Sequence, residues 1–308
     1  MEEKISIRGR TARNMVRLAN HLPVFGNMMQ NGEMRKRLSE RERLWECPEH
    51  LELTHLELSN CTMELLRKKE QSADGVILQL HGGGYYGRLN NTYRDMAGLY
   101  NELSGGFDVL SVDYRVAPEH PFPAALEDAL EAYEWIMKRD YRVVIVAGDS
   151  AGGGLALALC LYLRDHGRSL PAGIITMSAW TDLTKSGESY QENFDVDPIF
   201  GGTKDTLVYK DWYYKEQDPQ DPYISPVNGD YKGFPPMLMQ VGEYEMLLSD
   251  TLTVADKASA AGVSVKQHTY MGMFHVFQMG LLLYPEAKNA WIEVGHFIRR
   301  VSHSENPG

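Results

Sequence analysis

The segment from Tyr141 to Cys160, YRVVIVAGDSAGGGLALALC, limits what this chain can fold into more than any other. The run Arg142–Ala147 is almost wholly apolar and does not alternate, the pattern of a central parallel strand covered on both faces. A tight turn through Gly148, Asp149, Ser150, Ala151 and Gly152 follows, and an apolar helix is expected to start near Ala151. The turn has the form GxSxG. Glycines flank the serine because so sharp a strand-to-helix turn brings backbone together where a Cβ would clash. The serine is thereby thrust out at the carboxyl end of a sheet, beside a helix N-terminus, where a nucleophile is useful.

GxSxG alone recurs by chance in roughly one chain in ten of this length, so its meaning has to come from the rest of the chain. From Gly75 onward apolar strands alternate with helices. Strands are predicted at Val76–Leu80, Asp108–Val112, Gly173–Met177, Met237–Val241 and Val263–Thr269 besides the central one. Helices are predicted near Asn91–Leu103, Pro123–Lys138, Ala151–Asp165, Leu248–Ala261 and Glu286–Arg300. Repeated βα units mean a mostly parallel, doubly wound sheet. Ahead of them, Leu51–Leu58 and Thr62–Lys69 alternate around Ser59 and Asn60, as in an antiparallel hairpin. Residues 1–50 are helical in pattern, with a break at 22–26, and carry Met15, Phe25, Met28, Met29 and Met34. The stretch Asp182–Tyr231 is polar and aromatic with little strand character, and could join residues 1–50 in covering the carboxyl edge of the sheet. Ser302–Gly308 reads as a frayed tail.

The formal charge of −11 over 308 residues argues against nucleic acid and against an anionic membrane surface. Cys47, Cys61 and Cys160 are odd in number and widely spaced, which suggests neither a disulfide framework nor a zinc site. Cys160 falls in an apolar helix as core. The first residues alternate charge with apolar side chains and lack the unbroken apolar stretch of a signal peptide, so a reducing cytoplasm is the expected setting.

Directly after Val76–Leu80 comes His81-Gly82-Gly83-Gly84-Tyr85. Unshielded N–H groups in such a run can hold a developing negative charge. With the N–H of Ala151, those of Gly82 and Gly83 would make a three-donor oxyanion hole, and Tyr85 is expected to touch substrate. A serine nucleophile also needs a base and a carboxylate to orient it. Of the histidines past the serine's half of the sheet, His268 falls in a strand, His296 in the last helix and His303 in the tail. His275 alone sits on a loop after the last strand. The loop after Met237–Val241 offers Glu243, Glu245 and Asp250. Glu245 is favoured for its place in that loop, with Asp250 the main rival.

HGGG at 81–84, GDSAGG at 148–153 and DYRVAPEHPFPAA at 113–125 together resemble the hormone-sensitive-lipase-like branch of the α/β-hydrolases, the microbial family IV carboxylesterases. SAWTDL at 178–183, DPYISP at 221–226 and FPP at 234–236 match segments usual there. The resemblance runs from about residue 50 to residue 300. It implies an eight-stranded, mostly parallel sheet with helices on both faces and a helical cap. That cap would combine residues 1–50 with a second segment, about 184–222, set into a catalytic domain over 51–308. It implies Ser150 as nucleophile, His275 as base, and the amides of Gly82, Gly83 and Ala151 as oxyanion hole. The family's acid motif falls on Gly242–Asp250 and puts Glu245 where most relatives have Asp. The charged run Asp113–Ala125 is implied to support the fold near the glycines. Neither metal nor organic cofactor is called for. The partner implied is a small-molecule ester, with amides as the alternative substrate and a second copy of the chain as the one macromolecular partner left open. Receptor-type members of the branch have lost the catalytic histidine, so His275 favours catalysis over mere binding. A short cap leads to the expectation of short acyl chains.

Overall fold

A computed structural model describes residues 5–20 and 42–303. Eight strands form one sheet: β1 (Leu51–Glu57), β2 (Thr62–Lys68), β3 (Gly75–Leu80), β4 (Asp108–Asp113), β5 (Val143–Asp149), β6 (Gly173–Met177), β7 (Met237–Gly242) and β8 (Val265–Tyr270). Their spatial order is β1-β2-β4-β3-β5-β6-β7-β8. β2 is antiparallel to both β1 and β4, and all other pairings are parallel. The hairpin thus extends one edge, and β5 lies in the middle with β3 and β6 as neighbours.

Because successive strand residues face opposite sides, the central strands feed two cores. Val76, Leu78, Val146, Ile174 and Met239 pack under α3 (Ala124–Met137), α4 (Ser150–Asp165) and α6 (Leu248–Ala260). Ile77, Ile145, Ala147, Ile175 and Leu238 face α2 (Asn91–Ser104) and α7 (Pro285–His303). This two-sided burial is why those strands read as continuous apolar runs. α2 closes as its residues dictate: the Asn90 side chain accepts from Thr92 N–H, and Gly105, in the left-handed region, ends it.

Three sequence expectations change. The central strand runs on to Asp149 and α4 begins at Ser150 itself, so no loop residue separates them. Residues 42–48 are not helical; this segment lies against the start of α2, where Trp45 Nε1 donates to Asp95 Oδ1 at 2.8 Å and Glu42 accepts from Asn91 N–H. The last helix extends through His303, so Ser302 and His303 are helical rather than frayed. The expected break at 22–26, with Phe25, Met28, Met29 and Met34, lies outside the described residues.

Two segments lie over the carboxyl edge of the sheet. α1 (Ile7–Asn20) contributes Ala12 and Val16, with Ile5 just ahead of it, to a cluster with Phe274 and Phe277. Arg13 Nη1 donates to Gly272 O at 3.0 Å. Between β6 and β7, the stretch 184–222 carries α5 (Ser189–Glu192) and a 3₁₀ turn at Leu207–Tyr209 and no strand. Among the described residues, no helix is long and apolar enough to cross a membrane.

Candidate active site

The turn from β5 into α4 is as tight as contact allows. A Cβ on Gly148 would lie 2.2 Å from Gly152 O, and one on Gly152 would lie 2.1 Å from Leu80 O. Ser150 sits at the apex with φ +49°, a conformation costly for a residue with a side chain. The packed turn enforces that conformation, and Ser150 lines a cavity of about 220 Å³ together with Gly83, Gly84, Ile199, Phe200, Leu207 and His275, among others.

Ser150 Oγ lies 2.9 Å from His275 Nε2, and His275 Nδ1 lies 3.0 Å from Glu245 Oε2. Three residues drawn from the ends of β5, β7 and β8 therefore form one line, with Glu245 fully buried and His275 nearly so. The other Glu245 oxygen accepts from Ser178 Oγ at 2.7 Å and from the Gly242 amide. Asp250 is elsewhere: its Oδ2 accepts from the amides of Thr181 (2.7 Å) and Asp182 (2.8 Å). Burial, helped by nearby Asp182, holds its carboxyl well above the ordinary Asp range. Glu243 accepts from Gly272 N–H at 2.7 Å. Of the three candidate carboxylates, only Glu245 reaches the imidazole.

The glycine loop corrects one expectation. The Gly82 N–H already points inward, to Asp149 Oδ1 at 3.0 Å and to the Tyr93 hydroxyl at 2.9 Å. It cannot also serve an oxyanion, and a Cβ there would lie 2.2 Å from Asp149 Oδ2. The amides of Gly83 and Gly84 donate to no acceptor among the described residues. Both glycines line the cavity. The Ala151 amide, in the first turn of α4, has no intrahelical acceptor. The free donors are thus Gly83, Gly84 and Ala151.

Tyr85 is the second correction. It is completely buried, its ring stacked on Tyr213 at 3.6 Å between centroids, and it does not line the cavity. Its backbone φ of +57° turns the side chain under the loop instead of toward the cavity. The Tyr85 carbonyl accepts from Ala117 N–H at 2.7 Å, and the Tyr114 hydroxyl donates to His81 O. The run Asp113–Ala125 therefore braces the glycines from behind, as expected.

Asp149 is the residue sequence reasoning left without a role. Its buried carboxylate accepts from Gly82 N–H and, at 3.2 Å, from the Tyr93 hydroxyl. Burial pushes its pKa up to about 7, against the opposing pull of His275 and those donors. Ser178 was missed as well; it follows β6 in the left-handed region (φ +52°) and accepts from Val276 N–H at 3.0 Å. Among the described residues no three His, Cys, Asp or Glu side chains converge where a metal could sit. A larger groove of about 940 Å³ near Trp45, Leu99 and Leu282 shares no residue with the Ser150 cavity and offers no serine or cysteine.

A family model described as the alpha/beta hydrolase fold matches residues 77–279. An esterase from the bacterial hormone-sensitive lipase family superposes with a TM-score of 0.83 at 31% identity, over 97% of this chain and 99% of that one. This chain belongs to the hormone-sensitive-lipase-like α/β-hydrolases. Within that family it is 36% identical over 234 residues to an esterase of Acinetobacter venetianus, covering 75% of this chain and 76% of the relative. It is 37% identical over 245 residues to an acetyl-hydrolase of Streptomyces hygroscopicus, covering 79% and 81%.

Proposed function

We propose that this hydrolase cleaves short-chain carboxylic esters through an acyl-enzyme on Ser150. The observation that carries the reading is the hydrogen-bonded line from Ser150 through His275 to Glu245, ending at a cavity with free amide donors on its wall. His275 Nε2 takes the hydroxyl proton as Oγ attacks the carbonyl carbon. The tetrahedral oxyanion is received by the N–H groups of Gly83, Gly84 and Ala151, each donor contributing about 3 kcal/mol to the transition state. His275 then protonates the departing alcohol. A water, deprotonated by the same imidazole, attacks the acyl-serine and releases the acid. Glu245, its second oxygen held by Ser178 and Gly242, keeps Nδ1–H pointing inward and balances the imidazolium.

The relatives named esterase and acetyl-hydrolase support ester cleavage and a small acyl group. So does the cavity: about 220 Å³ is below the roughly 300–1,000 Å³ usual for drug-sized ligands. Ile199, Phe200, Leu207 and Val208 from the 184–222 segment roof it, and we assign that segment, with the N-terminal one, to the cap. A cytoplasmic setting is part of the proposal, supported by three free cysteines. A survey of nitrophenyl esters from two to sixteen acyl carbons, with the matching anilides, tests the reading. Rates should peak at the short end and anilides should trail far behind; rates rising steadily with chain length, or anilides cleaved as fast as esters, would contradict it.

A further inference from the structure

The roof of the cavity is fastened to the loop that carries Glu245. Ser189, Asn193 and Asp197 lie four residues apart, and the bonds Asn193 N to Ser189 O (3.0 Å) and Asp197 N to Asn193 O (2.9 Å) stack them along one face. All three reach the same short stretch. Ser189 Oγ donates to Met246 O at 2.6 Å. Asn193 Nδ2 donates to Glu245 O at 2.8 Å and to Glu243 O at 3.0 Å. Asp197 Oδ2 accepts from Met246 N–H at 2.7 Å. The carbonyls of Glu243, Glu245 and Met246 and the Met246 amide thus find partners in these side chains, while the Glu243 and Tyr244 amides donate to Tyr270 O and Met273 O.

Asp197 also faces the cavity wall. Its Oδ1 accepts from the amides of Ile199 (2.8 Å) and Phe200 (3.0 Å), and the Phe200 ring lies 4.7 Å from the His275 ring. The carboxylate is 2% exposed, so these amides have little water to fall back on. We propose that Asn193 and Asp197 are positioning residues for Glu245, so that seating of the cap and alignment of the acid are one event. The inference rests on Glu245 being the triad acid. A glutamate has one more rotatable bond than an aspartate; Ser178 and Gly242 hold one of its carboxylate oxygens, and the cap side chains add a hold on the backbone that carries it.

The test is a pair of double-mutant cycles on p-nitrophenyl acetate: Asn193→Ala and Asp197→Asn, each alone and in a Glu245→Ala background. Acting through Glu245, each single substitution should lower kcat about tenfold with KM changed less than about threefold, and should cost less than about twofold once Glu245 is gone. The same fold loss in both backgrounds, or a loss carried by KM, would overturn the inference while leaving the acid in place. Glu245→Ala turning over at the wild-type rate would instead overturn the acid assignment, and this inference with it. Asn193 is only partly buried, so Asn193→Ala decides the matter if Asp197→Asn does not fold.

Discussion

The Ser178 hydroxyl donates to Glu245 Oε1 at 2.7 Å while receiving the Val276 amide at 3.0 Å, and so ties the acid to the residue that follows the base. Both ends of the His275–Glu245 contact are thereby held by one side chain. Ser178→Ala should lower kcat about tenfold, the worth of one hydrogen bond to a charged group, with KM nearly unchanged. Steady-state kinetics on a two-carbon ester checks this.

Glu245 and Asp250 should separate cleanly. Glu245→Ala is expected to lower kcat roughly a thousandfold or more, by releasing the imidazole tautomer. Asp250→Ala strips the acceptor from the Thr181 and Asp182 amides and should cost about 2–4 kcal/mol of stability, with the folded fraction still active. Thermal melting and active-site-normalised kcat, measured on both variants, read the two effects apart.

Asp149 should leave a signature in the pH dependence of stability. Its carboxyl moves from an ordinary 3.8 to about 7 on folding, so between those values the folded state keeps a proton that the unfolded chain has released. The contribution to stability is full below pH about 4, falls through the interval and is lost above about 7, with an amplitude of a few kcal/mol. Asp149→Asn removes this group, so the melting temperature of the variant relative to wild type should rise between about pH 4 and about pH 7 and level off above that. A difference that stays flat across that interval would contradict the assignment.

Leu207 lies directly over the glycine loop: a Cβ on Gly84 would stand 3.0 Å from Leu207 Cδ1. Leu207→Ala should open the acyl end of the cavity and favour longer chains several-fold per added methylene, from about 0.8 kcal/mol each. The ratio of kcat/KM for hexanoate to that for acetate should climb well above the wild-type ratio; an unchanged ratio places the acyl group elsewhere.

The fold was legible because the central strands are buried on both faces and read as continuous apolar runs, whereas β1 at the edge is mostly open to solvent and its residues alternate. Ser150 and His275 were legible because each lies just past the carboxyl end of a strand, Ser150 as the first residue of a helix and His275 on a loop. The oxyanion loop was legible only as a whole. Which glycine amide stays free depends on the Asp149 carboxylate, 67 residues from Gly82, and on the Tyr93 hydroxyl, and no local pattern carries that. Tyr85 was misjudged for the same reason, since its ring stacks on Tyr213 in the distant 184–222 segment. Asn193 and Asp197 gave a faint signal, two polar residues at helical spacing in an aromatic stretch, but their partners are backbone atoms of a distant loop.

The proposed mechanism stands on Ser150 as the nucleophile that forms the acyl-enzyme. Intact-mass and peptide mapping after treatment with a serine-reactive phosphonate tests it most directly. One adduct on the peptide holding Ser150, complete loss of turnover as it forms, and neither labelling nor turnover in a folded Ser150→Ala variant are the predicted results. An adduct on another residue, or Ser150→Ala turning over at the wild-type rate, would contradict the account.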